Sequence, residues 1–170
     1  NDGLFRIDGG GTAIKLVDAD NVGAVVVDPD DGDVFFSEDV GGTIFRSPFG
    51  GTGRATGVSG FGSGDDDPVG MAIAPGGYAG GAINPGEALV ADRGFNGIDE
   101  VWRFSPDTAE GETVLHDDDG TLVDAVDITI GTYGIYLVDT GGVSQPGAVY
   151  RVDAGGALTL IATTEPIPEP

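Results

Sequence analysis

Carboxylates carry most of the chemistry open to this chain. Glu38, Asp92 and Asp139 each close a short apolar run, and an arginine follows each of them 8 to 12 residues later. A repeated acid of this kind has two uses. It can pair with the arginine of its own repeat or cap a neighbouring turn, through charge-assisted hydrogen bonds that hold the architecture. Alternatively, several such acids can converge on a central channel and hold Ca²⁺ through their oxygens. A role shared by every repeat points to architecture, so Arg46, Arg103 and Arg151 are the expected partners of Glu38, Asp92 and Asp139.

Two acidic loops could supply further oxygen ligands for calcium: Asp28, Asp30, Asp31 and Asp33 in one, Asp117, Asp118 and Asp119 in the other. Neither has the D-x-D-x-D-G spacing and distal glutamate of an EF-hand loop. Asp31-Gly32 and Asp119-Gly120 match the favoured dipeptide of type I′ hairpin turns. Turns are therefore the first expectation there and calcium the second. His116, the single histidine, ends a strand-like run beside three aspartates. No G-x-S-x-G elbow accompanies it, so a surface or strand-end histidine is expected rather than a general base. The stretch 75–86 is rich in glycine but lacks the lysine of a phosphate loop. It reads as a surface insertion, placed where loops serve a binding face.

The elements that position these groups are repeats. An aliphatic residue, an aromatic residue and arginine recur as Leu4-Phe5-Arg6, Ile44-Phe45-Arg46, Val101-Trp102-Arg103 and Val149-Tyr150-Arg151. Four of the seven basic residues sit in this phrase. Aligning its copies exposes units of four short strands, a to d, with the phrase on strand c and the repeated acid at the end of strand b. Complete units span about 21–62, 68–121 and 122–162, preceded by a half unit over 3–20 that has no a and b strands of its own. Gly or Pro interrupts every candidate helix. Short β-rich runs in units of this length predict an all-β propeller of four-stranded antiparallel blades, about three and a half of them, over 1–162. Trp102, inside the phrase, is expected to pack between blades.

Composition bounds the partners. The net charge is −22, and most of the 29 acids are aspartate. Phosphate binding needs clustered Lys and Arg, so nucleic acid is excluded, and anionic membrane surfaces are disfavoured for the same reason. No apolar run reaches the length of a membrane span. The absence of cysteine excludes disulfides, thiol chemistry and cysteine zinc sites.

The phrases "DPVGMAIAP", "EALVADRGFNGIDEVWRF" and "VVVDPDDGDVFFSEDVGGTIFR" resemble the NHL-type and related six-bladed propellers, including the gluconolactonase/SMP-30-like and YWTD groups. The likeness runs over nearly the whole chain. It implies a propeller and leaves activity open, because these propellers include hydrolases, binding modules and scaffolds. Gluconolactonase-like relatives hold a metal with a Glu, Asn and Asp set. Asn84 and Asn96 lie near in sequence, but the full set does not map here. An unclosed ring leaves an exposed strand edge, so remaining blades or a second copy are expected to complete it. Residues 163–170 form a Pro-rich linker ending in Pro168-Glu169-Pro170, which resembles the start of a PEP-CTERM sorting signal. That resemblance implies an exported protein of a Gram-negative bacterium. The leading expectation is a non-catalytic structural or binding module of a cell surface or extracellular matrix, with a protein, glycan or matrix partner. A calcium-dependent gluconolactonase-like hydrolase and a filament or sheath subunit joined through an open blade edge are the alternatives.

Overall fold

The computed structural model describes residues 3–38, 42–51, 55–59, 66–94, 99–106, 110–117, 119–142 and 145–164. Asp118, Asn96 and the Pro-Glu-Pro end lie outside them. All regular structure is β. A two-stranded sheet, β1 (Leu4–Ile7) and β2 (Ala13–Val17), precedes three four-stranded antiparallel sheets. The first comprises β3 (Val22–Val27), β4 (Val34–Glu38), β5 (Thr43–Ser47) and β6 (Ala55–Ser59). The second comprises β7 (Asp66–Ile73), β8 (Ala88–Gly94), β9 (Asp99–Ser105) and β10 (Glu110–His116). The third comprises β11 (Ala125–Gly131), β12 (Gly134–Asp139), β13 (Ala148–Val152) and β14 (Leu158–Thr163). In each sheet the strands pair in sequence order, so every connection is a local hairpin. This is the all-β, propeller-like architecture expected from the repeats.

Aspartate builds the tight turns. In Asp8–Thr12 the Asp8 Oδ1 accepts the amides of Gly10 and Thr12, and in Asp153–Ala157 the Asp153 Oδ1 accepts those of Gly155 and Ala157. A short carboxylate that satisfies its own turn's donors is the reason aspartate is favoured there. The loop Asp28–Asp33 follows the same logic, with Asp30 and Asp33 amides donating to the Asp28 and Asp31 carboxylates. Its turn is not type I′. That turn needs positive φ at both central residues, whereas Gly32 has φ 81° and Asp31 stays in the ordinary region. Asp119-Gly120 is not a hairpin either, because it joins β10 to β11 between two sheets.

The sheets stack face to face, and three apolar clusters mark the seams. Leu4 and Ala19 pack on Phe36, which stacks on Phe45 with ring centroids 5.5 Å apart. Ala24, Phe35 and Ile44 of the first sheet meet Met71, Val90 and Phe104 of the second, with Trp102 against them. Leu89, Ala91 and Val101 of the second sheet meet Ile128, Ile135 and Leu137 of the third. Alternation along a strand sends successive side chains to opposite faces, so one sheet serves two seams. Backbone approach at the inner strands is close. A Cβ on Gly70 would lie 2.7 Å from Asp127 Cα, so β7 and β11 touch where only glycine fits. Buried Ser37 joins the first two sheets by donating to Pro68 O at 2.6 Å while accepting the Ala24 amide.

The glycine-rich stretch lies at the surface over most of its length, as its sequence reading expects, but is anchored inward at three residues. Tyr78, Ala82 and Ile83 are buried in the seam between the second and third sheets, and Arg103 Nη1 donates to Ala82 O at 3.4 Å. The insertion is a packed connection, held by apolar residues spaced too irregularly to register as strand or helix.

Candidate functional site

Strand register decides what the repeated acids touch. Arg46 lies opposite Phe35, Arg103 opposite Leu89 and Arg151 opposite Tyr136. The acids Glu38, Asp92 and Asp139 lie three residues further along the same strands. Three residues are about 10 Å of strand and an odd number of steps, so acid and arginine point to opposite faces. The register therefore does not set the acid and the arginine of one sheet face to face. Arg46 turns to the preceding hairpin instead, with Nε 2.5 Å from Asp33 Oδ2 and Nη2 3.0 Å from Asp31 Oδ2. Its guanidinium also lies over the Phe35 ring, 5.6 Å from the centroid. Arg6 and Arg151 are exposed on β1 and β13.

The acids hold turns and seams. Asp139 accepts the Val123 amide at 2.7 Å and the Gly141 amide at 2.5 Å, which fixes the entry to β11. Glu38 accepts the Asp20 amide at 3.3 Å. Asp92 is buried opposite Glu100. The turn-capping half of the sequence reading thus describes Asp139 and Glu38. Among the described residues, no three histidine or carboxylate groups form a metal-holding cluster. In the Asp28–Asp33 loop, two carboxylates take the loop's own amides, and Asp33 accepts the Phe49 amide at 2.6 Å. Burial opposes ionisation of Asp33, but the Phe49 amide and Arg46 outweigh it and hold its pKa below the ordinary carboxylate value. Asp33 therefore contributes stability that is present above its unfolded pKa and lost as pH falls through the lowered one. Arg46→Ala is expected to cost about 1–2 kcal/mol, because it strips a buried carboxylate of a charged donor. Urea unfolding at neutral pH measures it, and a cost indistinguishable from zero would show that Arg46 only decorates the loop.

Sequence reasoning missed two groups. Asp99, at the start of β9, is fully buried, and among the described residues neither carboxylate oxygen has a well-formed hydrogen bond. Burial, with the nearby charges of Asp139 and Asp124, pushes its pKa up to about 6. Its signal was present: Asp99 precedes the core residue Val101 by two, the spacing that puts both on one face. Arg93 was the other. Cross-strand to Asp99, it reaches Asp124 at 3.6 Å and Asp67 at 3.8 Å.

The second feature of this seam lies at its outer edge. A cavity of about 450 Å³ is lined by Leu115, His116, Asp117, Asp119, Thr121 and Leu158, with the Gly155–Ala157 turn closing it. His116 ends β10 as expected, but it is buried, at 7% exposure. Its Nδ1 lies 3.0 Å from Gly156 O. A carbonyl only accepts, so Nδ1 carries a proton, and in the neutral tautomer this selects, the lone pair lies on Nε2. Among the described residues Nε2 has no hydrogen-bond partner, and it faces Asp119 Oδ1 at 3.8 Å. The Thr121 hydroxyl and amide hold the Asp119 carboxyl below its ordinary value. The cavity therefore offers acceptors, and no Lys or Arg is among its described lining residues.

No protein-family model matches the chain, and no curated protein matches it. Solved structures do match in fold. A chain in the crystal structure of a nidogen/laminin complex has a TM-score of 0.69 at 16% identity, covering 94% of this chain and 57% of that one. An auxiliary nutrient binding protein from Bacteroides thetaiotaomicron has a TM-score of 0.60 at 15% identity, covering 91% of this chain and 39% of that one. The chain thus spans little more than half the length of the first and less than half of the second, and what it shares with them is the propeller-like fold.

Proposed function

We propose that this chain is an exported, non-catalytic propeller module that binds a protein, glycan or matrix partner at a bacterial surface. The observation that carries this reading is the stack of rigid antiparallel sheets, also found in a nutrient binding protein and in a chain of a nidogen/laminin complex. Packed strands hold loops in fixed positions, which suits recognition of a partner. NHL/SMP-30-like membership and a PEP-CTERM address are the finer form of the proposal, and they rest on the phrases and the Pro-Glu-Pro triplet.

Both ends of the stack support completion by further blades or a second copy. Val138 on the outer side of the third sheet is 38% exposed, whereas its counterpart Ala91 is fully covered by the next sheet. At the other end Phe5 and Ile7 are 44% and 64% exposed. Sedimentation of the chain distinguishes the two, since a dimer supports the second copy and a monomer supports further blades.

Binding is tested by immobilising the protein and measuring its retention of extracellular proteins and glycans from the source bacterium, beside a lactone hydrolysis assay with calcium. Saturable retention without turnover is expected. Lactone turnover that needs calcium would overturn the non-catalytic reading. The acidic loops act in this reading as turns, so millimolar calcium is expected to leave the melting temperature unchanged. A rise in melting temperature that Asp30→Asn abolishes would assign calcium to the first loop.

A further inference from the structure

We propose that the cavity at the outer edge of the second and third sheets receives an arginine side chain of a protein partner, held by Asp119 and by the Nε2 lone pair of His116. The proposal rests on the binding-module reading and gives it a contact chemistry. Four observations carry it. The first is the orphaned acceptor. His116 is more than nine-tenths buried and its ring is oriented by Gly156 O, yet Nε2 meets no donor. A buried acceptor without a donor is costly, and an incoming N–H recovers that cost.

The second observation is geometry. Nε2 and Asp119 Oδ1 are 3.8 Å apart, close enough for one planar group to serve both at ordinary hydrogen-bond distances. Guanidinium carries several N–H donors in a rigid fork and needs no acceptor in return. Nε2 itself is buried and Asp119, 3.8 Å away, is exposed, so a group held by both must enter from the Asp119 side. The third observation is shape. Leu115 and Leu158 line the same cavity, and apolar walls suit the methylene stem of arginine. The fourth is charge. Asp117 and Asp119 line the cavity with no Lys or Arg beside them, on a protein of net charge −22. A field of one sign raises the local concentration of cationic partners.

A divalent metal fits less well. His116 and Asp119 are two donors, and among the described residues no third histidine or carboxylate joins them in a metal-holding cluster. Structural zinc takes four protein ligands and catalytic zinc three.

The single histidine makes the test direct, because its ring protons give one resolved pair of NMR signals. N-acetyl-arginine amide is titrated against N-acetyl-citrulline amide, which keeps the shape and removes the charge. Arginine amide is expected to shift the His116 signals saturably, with a dissociation constant of about 10 mM or tighter for a lone side chain. Citrulline amide should leave them in place, and Asp119→Asn should weaken the arginine response about tenfold. His116→Gln, followed by calorimetry, should weaken it as well. No saturable shift, an equal response to citrulline, or an undiminished response in Asp119→Asn would overturn the proposal. So would a response to zinc without one to arginine. A partner retained equally by wild type and Asp119→Asn sinks the cavity and spares the module. Failure of the wild type to retain any partner sinks the module reading while the titration still reports on the cavity.

Discussion

Asp99→Asn is expected to stabilise the protein at neutral pH by about 3 kcal/mol relative to its effect at pH 4. Asp99 is fully buried, and among the described residues no donor closes a well-formed hydrogen bond to either oxygen, although the Ala125 and Gly94 amides lie near enough to favour the charged form weakly. Burial, then the charge of Asp139 and more weakly that of Asp124, raises its pKa from 3.8 to about 6, against a smaller opposing effect of the Ala125 and Gly94 amides. A pKa higher in the folded state means that folding favours the protonated acid. Below the unfolded value both states hold the proton and the native state carries no charge penalty. As pH rises from about 4 to about 6, the unfolded chain releases its proton first and stability falls. Above that window the whole difference is lost, at about 1.4 kcal/mol per pKa unit. Asparagine keeps the shape and cannot ionise. Its amide can cost something in a site that lacks acceptors, but that offset does not depend on pH. The readout is therefore the difference in unfolding free energy between variant and wild type across pH 4 to 8, from urea titrations. A difference that stays flat through the window would sink the argument.

That a carboxylate sits uncompensated in the seam sets a limit on what local sequence conveys. The phrase with arginine located strand c in every repeat: Ile44-Phe45-Arg46 lies within β5 and Val101-Trp102-Arg103 within β9. This worked because alternation and turn residues are local properties, readable within a few positions. The arginine–acid pairs were less legible, because which residues face each other depends on cross-strand register. Glu38 and Arg46 look like neighbours across a hairpin, but the connection places Arg46 opposite Phe35 and sends it to Asp31 and Asp33. Tyr78 and Ile83 were illegible for a related reason. Their burial is decided by a sheet about 50 residues later in the chain, and nothing between Pro75 and Gly86 has the period of a strand or helix. The cavity beside His116 is further still from the local pattern, since one wall ends β10 and the other is the turn after β13. Aspartate was legible as a turn residue at Asp28–Asp33, and the same chemistry recurs at Asp8 and Asp153.

The hairpins Asp8–Thr12 and Asp153–Ala157 supply a matched pair that isolates how the third sheet docks on the second. Each closes with an amide at Gly11 or Gly156 donating to the aspartate carbonyl at 3.0 Å, and both glycines have φ 82°. Alanine in that left-handed region costs about 1–2 kcal/mol wherever it occurs. At Gly11 nothing lies within 4 Å of the added Cβ, so Gly11→Ala should cost only that conformational amount. At Gly156 the added Cβ would fall 1.6 Å from Leu115 O, inside the backbone of β10. Either the turn or the strand must retreat, at an overpacking cost of about 1–3 kcal/mol. Retreat also pulls Gly156 O away from His116 Nδ1, which strands a buried N–H and adds about another 1 kcal/mol. Gly156→Ala is therefore expected to destabilise by about 4 kcal/mol, against about 1–2 for Gly11→Ala. Urea unfolding measures both, and the His116 ring signals should move in Gly156→Ala but not in Gly11→Ala. Equal costs would mean that the turn after β13 rests on β10 without bearing on it. The larger cost at Gly156 would make that glycine the point where two sheets are held at contact distance, with His116 as the latch between them.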